Sequence, residues 1–196
     1  MGKRIFDIFF SVTGILVVLP LLLILFFLVV IESRGGFLYF QKRVGRNGID
    51  FKLYKIRTMY KNADQKGLLT VGDDDKRITP VGRILRAYKI DELHQLFNIL
   101  SGKMSFVGPR PEVRKYVDMY TVEQKKVLSA KPGLTDYASL LYYNENKLMA
   151  RYENFEEVYI KTIMPRKLRL NLIYIDNKNM CLDVKIILKT IFKWVR

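Results

Sequence analysis

IFFSVTGILVVLPLLLILFFLVVI, residues 8–31, carries no charged side chain. About 20 consecutive apolar residues suffice for a helix to cross a bilayer, so this stretch is a membrane segment by length and composition. A secretory signal fits poorly. The run is too long, and Glu32-Ser33-Arg34 follows it instead of a small-residue cleavage site. Pro20 stands in the middle, where it removes a backbone hydrogen bond and favours a kink. Basic residues flank both ends, Lys3 and Arg4 before and Arg34, Lys42, Arg43 and Arg46 after. The positive-inside bias therefore favours the cytoplasm for both flanks. A re-entrant hairpin, broken at Pro20 and returning to the same face, satisfies that bias. Ser11 or Thr13 would then supply partners for the freed backbone groups. A single spanning helix remains the alternative.

The 196 residues carry a formal net charge of +15. Residues 1–33 hold Lys3 and Arg4 against Asp7 and Glu32, so the whole excess sits in residues 34–196. These two segments are the expected membrane anchor and cytoplasmic catalytic domain. A basic body points to a polyanionic partner: nucleic acid, anionic lipid or a phosphorylated substrate. The 24-residue apolar run argues against nucleic acid. One cysteine, Cys181, and one histidine, His94, exclude an internal disulfide and a Cys/His zinc site. A Ser-His-Asp or Cys-His arrangement would have to use His94.

The expected fold class is α+β and mostly helical. Residues 37–59 alternate aromatic or β-branched with basic residues around Asn47-Gly48, which predicts a β-hairpin. Residues 61–79, with Gly67, Gly72 and Asp73-Asp74-Asp75, read as a loop. Residues 80–100 have helical spacing with a break near Tyr88-Lys89. SFVGPRPEV, residues 105–113, holds Arg110 between two prolines on a stiff, extended loop. Residues 112–130 read as a helix ended by Lys131-Pro132-Gly133. Residues 152–195 carry further helical periodicity with basic residues interleaved, suited to a membrane surface or to an ordinary core.

Asp91-Glu92 is the best candidate for chemistry. Alone, such a pair at a helix start is usually placed to suit the helix dipole. Here Arg83, Arg86 and Lys89 precede it and the Arg110 loop follows. Two carboxylates among fixed cations suit phosphoryl transfer: cations neutralise phosphate oxygens, and a carboxylate serves as nucleophile, base or metal ligand. A helix starting near Ile90 would add backbone N–H groups for phosphate. Walker A, GxGxxG and GxSxG patterns are absent.

In order along the chain come Lys3-Arg4-x-Phe6-Asp7, Pro20, Gln41-x-Arg43-x-Gly45, Tyr54-Lys55-x-Arg57-Thr58-Met59, Arg77-x-Thr79-x-x-Gly82-Arg83-x-Leu85-Arg86, Asp91-Glu92-Leu93-x-Gln95-Leu96-x-Asn98 and Met104-Ser105-x-Val107-Gly108-Pro109-Arg110-Pro111. In content, order and spacing these blocks resemble the bacterial sugar transferases, the monotopic phosphoglycosyl transferases, over nearly the whole chain.

The resemblance implies a two-step reaction. Asp91 would attack the β-phosphate of a UDP-sugar and release UMP. A polyprenol phosphate would then take the phospho-sugar, giving a polyprenyl-diphosphate-sugar, the first membrane step of a bacterial glycan. Glu92 would assist as base or magnesium ligand, and Mg²⁺ would bridge Asp91 and the diphosphate. Arg86 and Arg110 fall on phosphate-binding positions, with Lys55, Arg57 and Arg83 as further substrate contacts. Pro20 falls where the family breaks its membrane helix. The implied location is the bacterial inner membrane, with amphipathic helices on its surface. A homodimer is compatible with the sequence, which does not set the assembly.

Two blocks depart from the family pattern. His94 replaces the usual proline after Asp-Glu-Leu, and Pro132-Gly133-Leu134-Thr135-Asp136-Tyr137-Ala138-Ser139 replaces Pro-Gly-x-Thr-Gly-Trp-Ala-Gln. His94 is expected to be a satisfied structural histidine. The second change bears on sugar or nucleotide preference. A glycosyltransferase that moves only the sugar, and a non-enzymatic basic membrane protein, are the rival readings.

Overall fold

The computed structural model describes residues 2–63, 75–142, 152 and 154–194. The predicted loop around Gly67, Gly72, Asp73 and Asp74 lies outside the described residues. The first element, α1, is one helix over Gly2–Ser33 with Pro20 inside it. The expected break does not form. The helix instead buries a single stripe of Asp7, Ser11, Leu22, Leu25, Val29 and Ser33, continued by partly buried Val18. These positions keep helical spacing across Pro20, so packing on one body holds the two halves in phase. Ser11, expected to rescue the break, donates to Ile8 O at 3.0 Å instead.

At 1.5 Å per residue α1 is about 48 Å long, and the body holds it near both ends. Arg4 donates to the carbonyls of Ile99 and Leu100, both at 2.7 Å. Asp7 accepts from Ser105 Oγ and Phe106 N, each at 3.1 Å. Near the other end, Leu22, Leu25 and Val29 pack with Ile56 and Leu85, and Glu32 accepts from Val81 N at 3.1 Å. The opposite face exposes Leu16, Val17, Leu23, Ile24 and Phe27. By length and hydropathy α1 can cross a membrane.

Strands β1 (Leu38–Val44) and β2 (Asp50–Ile56) form the predicted antiparallel hairpin, with Leu38 opposite Ile56 and Val44 opposite Asp50. Asn47 and Gly48 turn it with φ of 58° and 75°, the left-handed region that Asn and Gly enter most readily. Helix α2 (Pro80–Ala87) begins with Thr79 Oγ1 accepting from Gly82 N at 2.9 Å. Helix α3 (Gln95–Leu100) follows. Strand β3 (Ser105–Val107) then pairs in parallel with β4 (Gly133–Thr135). The extended loop expected at residues 105–113 and the turn expected at Lys131-Pro132-Gly133 thus meet in a parallel pairing that no local pattern announces.

The long helix expected over 112–130 is absent. Its place is taken by α4 (Arg114–Val117) and a 3₁₀ turn over Gln124–Ser129. Thr121 and Gln124 account for the interruption. Thr121 N donates to Gln124 Oε1 at 2.9 Å and Gln124 N to Thr121 Oγ1 at 3.2 Å, a reciprocal cap that starts a new turn. Helix α5 (Tyr137–Leu141) is capped by Asp136. Helix α6 (Phe155–Val158) runs through a π turn, Tyr159–Ile163, into α7 (Met164–Asn177), and α8 (Met180–Trp194) closes the chain. The largest core cluster joins Val113, Tyr116, Val117 and Tyr120 to Tyr159, Ile163 and Leu168.

Candidate active site

Three segments converge on Asp91-Glu92. The first is the turn that carries the pair. After α2, Lys89 adopts φ 54° and ψ 20° and reverses the chain into a 3₁₀ turn over Ile90–Glu92. A non-glycine residue in this region costs of order 1 kcal/mol or more and is concentrated at functional sites. The turn replaces the helix expected from Ile90. Glu92 N and Leu93 N donate to Lys89 O and Ile90 O, at 3.2 and 3.1 Å, so these amides are already engaged. Both carboxylates are buried, Asp91 at 6% and Glu92 at 7% exposure.

The second segment is β2, which brings Lys55 to the pair. Its Nζ lies 3.2 Å from Glu92 Oε1 and 4.0 Å from Asp91 Oδ2. The third is the loop after β3. Gly108 N donates to Thr135 O and Gly133 N to Pro109 O, at 3.1 and 3.0 Å, which pins the loop to β4. Arg110 thereby reaches both Glu92 oxygens, donating from Nη1 to Oε2 at 3.4 Å and from Nη2 to Oε1.

The two carboxylates part in their electrostatics. Burial raises the Asp91 pKa above the usual carboxylate range, and the Glu92 charge adds to it; Lys55, Arg86 and Lys89 oppose. Glu92 is buried as deeply, but Arg110 and Lys55 outweigh that burial and hold it well below its ordinary value. Arg86 belongs to this field, with Asp91 the first carboxylate acting on it, and its Nε donates to Thr58 Oγ1 at 2.8 Å. Lys89 also lies within it, its pKa lowered by burial first and Arg110 second.

The other sequence candidates lie elsewhere. Arg57 clamps the start of the hairpin, donating to Gly36 O at 2.7 Å and Leu38 O at 3.2 Å. Arg83 is exposed on α2. His94 packs between Phe37 and Phe97, with ring centroids at 5.2 and 5.6 Å. Its buried Nδ1 has no hydrogen-bond partner among the described residues, so it is not the satisfied histidine that was expected. Thr58 was missed as a support for Arg86, because a threonine gives no signal until its neighbours are known.

Magnesium, implied by the sequence resemblance, fits the donor set in one respect. It commonly binds through one or two carboxylates plus substrate phosphates. No group of three or more acidic, His or Cys ligands occurs among the described residues, so substrate oxygens would have to complete its shell. Glu92 has both oxygens engaged by cations, which leaves Asp91 as the more available ligand.

The family described as bacterial sugar transferase matches residues 1–196. A UDP-N-acetylgalactosamine-undecaprenyl-phosphate N-acetylgalactosaminephosphotransferase of Aeromonas hydrophila is 36% identical over 193 residues, covering 96% of this chain and 42% of that protein. An uncharacterized sugar transferase, EpsL, of Bacillus subtilis is 36% identical, covering 97% of this chain and 86% of its own length. A UDP-glucose:undecaprenyl-phosphate glucose-1-phosphate transferase of Caulobacter vibrioides is 35% identical, covering 97% of this chain and 68% of its own. This chain thus spans less than half of the first relative and two thirds or more of the other two. With the whole sequence matched, and with relatives of this identity over most of its length, the chain belongs to the bacterial sugar transferase family.

Proposed function

We propose that the protein transfers a sugar 1-phosphate from a UDP-sugar to undecaprenyl phosphate, releasing UMP. The observation that carries this reading is the pair of buried, adjacent carboxylates with Lys55 and Arg110 both aimed at one of them. Names of relatives supply the acceptor and the phosphosugar type.

In this reading an Asp91 Oδ attacks the β-phosphorus. A bond forms from that oxygen to phosphorus, and the bond from phosphorus to the bridging oxygen breaks. UMP leaves with that electron pair, and the phospho-sugar remains on Asp91. A phosphate oxygen of the polyprenol phosphate then attacks the same phosphorus, and the Asp91 carboxylate leaves. Arg110, Lys55 and Arg86 offset charge on the phosphate oxygens. Glu92, held ionised by two cations, is a weak base, and its role is to position Arg110 and Lys55. Asp91, with Glu92 as the second carboxylate, would hold magnesium, which when bound neutralises diphosphate charge.

We further propose that α1 lies along the membrane within one leaflet, without crossing it, and leaves both its ends on the cytoplasmic face of the bacterial inner membrane, with the basic body beside them. Support comes from the contacts of Arg4 and Glu32 with one and the same body. A helix crossing the bilayer upright would carry one of those residues away from it.

Product analysis tests the reaction. Purified protein in membrane extract, supplied with a UDP-sugar and undecaprenyl phosphate, is expected to form UMP. UDP as the sole nucleotide product would establish simple glycosyl transfer and overturn the proposal.

A further inference from the structure

A cavity of about 320 Å³ opens away from Asp91 and Glu92, neither of which lines it. Lys3, Arg4, Arg46, Lys131 and Lys178 line it, with Asp7 the only carboxylate among the described residues. It is separate from the carboxylate pair. Arg46 lies at the closed end of the β1–β2 hairpin, where Val44 faces Asp50, whereas Lys55 faces Tyr39 toward the open end. Five residue steps separate the two positions, about 17 Å along the strand.

The wall is out of charge balance. Lys3 is neutralised by Asp183 at 2.6 Å. Arg4 is held by carbonyls alone, and Asp7 is engaged by Ser105 and Phe106. Arg46, Lys131 and Lys178 make no side-chain hydrogen bond or ion pair among the described residues. Two cations also crowd Gly102: a Cβ there would lie 3.3 Å from Arg4 Nη2 and 3.7 Å from Lys131 Nζ. Gathering like charges around a concavity costs free energy unless an anion offsets it. Burial and the Arg4 guanidinium accordingly push Lys131 below the ordinary lysine value, with Arg46 adding to the shift and Asp7 opposing it.

We propose that this cavity is a second anion site, which binds a phosphate group through Arg46, Lys131 and Lys178. Arginine and lysine side chains converging in this way suit phosphate oxygens. The site opens at the first turns of α1, immediately before the apolar run, a position where a lipid phosphodiester would lie. A free phosphate has the same chemistry.

The test uses the full chain in detergent with two probes, phosphatidylglycerol followed by native mass spectrometry and inorganic phosphate followed by calorimetry. Wild-type protein is expected to bind at least one. The Arg46→Gln/Lys131→Gln double variant should bind it about tenfold more weakly or worse, since charge-assisted contacts are lost. Lys131→Arg and Arg110→Gln should both retain it. Retention of phosphatidylglycerol alone assigns a headgroup site, and binding of inorganic phosphate as well assigns a general phosphate site. If the double variant does not fold, the exposed Lys178→Gln replaces it, with weaker binding expected. The proposal fails if neither probe binds, if the folded variant binds as well as wild type, or if Arg110→Gln abolishes binding.

Discussion

Lys55 Nζ lies 3.2 Å from Glu92 Oε1. Arg110 approaches the same oxygen, so one carboxylate holds two cations from different segments. Glu92→Gln removes the charge that holds them, while Asp91→Asn removes the proposed nucleophile. We expect Asp91→Asn to abolish UMP release. Glu92→Gln should lower kcat about 100-fold, the scale for loss of positioning, yet still form the phospho-sugar adduct. Intact-protein mass spectrometry after mixing with UDP-sugar separates the two. An adduct on Asp91→Asn, or none on Glu92→Gln at long times, would refute these roles.

The raised pKa of Asp91 sets a pH dependence. The nucleophile must be ionised, so kcat/KM should rise with pH along a limb lying above the ordinary aspartate range. Lys55 opposes that shift, so Lys55→Met should move the limb to higher pH, and Lys55→Arg should restore it. An unmoved limb in Lys55→Met would exclude Asp91 as the group that titrates. Stability follows the same sign. With its folded pKa above the unfolded one, Asp91 contributes stability at low pH that is lost as pH rises through the folded value. Asp91→Asn should therefore raise Tm at neutral pH, by roughly 2–4 °C per kcal/mol relieved. A Tm unchanged or lowered in that variant would contradict the burial argument.

Much of this architecture is legible in local signals. Asn47-Gly48 announces its hairpin, and the apolar run announces α1. The break at Tyr88-Lys89 is where Lys89 turns the chain. Other features depend on partners distant in sequence. The course of α1 past Pro20 goes with packing on both sides of it, Ile15 and Val18 against the cluster of Leu96 and Ile99 before it and Leu22, Leu25 and Val29 against Ile56 and Leu85 after it. The pairing of β3 with β4 joins segments about 28 residues apart, each only three residues long. In the site, Asp91, Glu92, Arg110 and Lys55 do converge. Arg57 shares a motif block with Lys55 but points to the carbonyls of Gly36 and Leu38, a difference that spacing alone does not reveal.

Close backbone contacts tie the fold to the site. A Cβ on Gly108 would lie 2.2 Å from Lys131 O, and one on Gly82 would lie 2.1 Å from Thr58 O. Both carbonyls belong to backbone beside a strand, Lys131 two residues before β4 and Thr58 two after β2. Gly108→Ala should separate β3 from β4 and displace Arg110 two residues on. Gly82→Ala should push α2 from the segment that follows β2 and disturb the Arg86–Thr58 bond. Each is expected to cost about 1–3 kcal/mol, as overpacking does, and to lower both Tm and kcat. Wild-type melting of either variant would show that the backbone adjusts freely.

The placement of α1 can be tested at its two ends. Cβ atoms added at Gly2 and Gly36 would meet nothing within 4 Å, so cysteines fit at both. The native Cys181 is exposed and is first replaced, as Cys181→Ser. Arg4 and Glu32 both hold to one body, so Gly2→Cys and Gly36→Cys should share a side of the membrane. A membrane-impermeant maleimide should label both in inverted vesicles and neither in intact spheroplasts. Labelling of Gly2→Cys from outside, with Gly36→Cys protected, would establish a spanning helix. It would also require Arg4 to leave the carbonyls of Ile99 and Leu100, and Asp7 to leave Phe106 N. Their loss would detach α1 from α3 and β3. Arg4→Gln should accordingly lower Tm if α1 lies along the body, and leave it unchanged if α1 stands away.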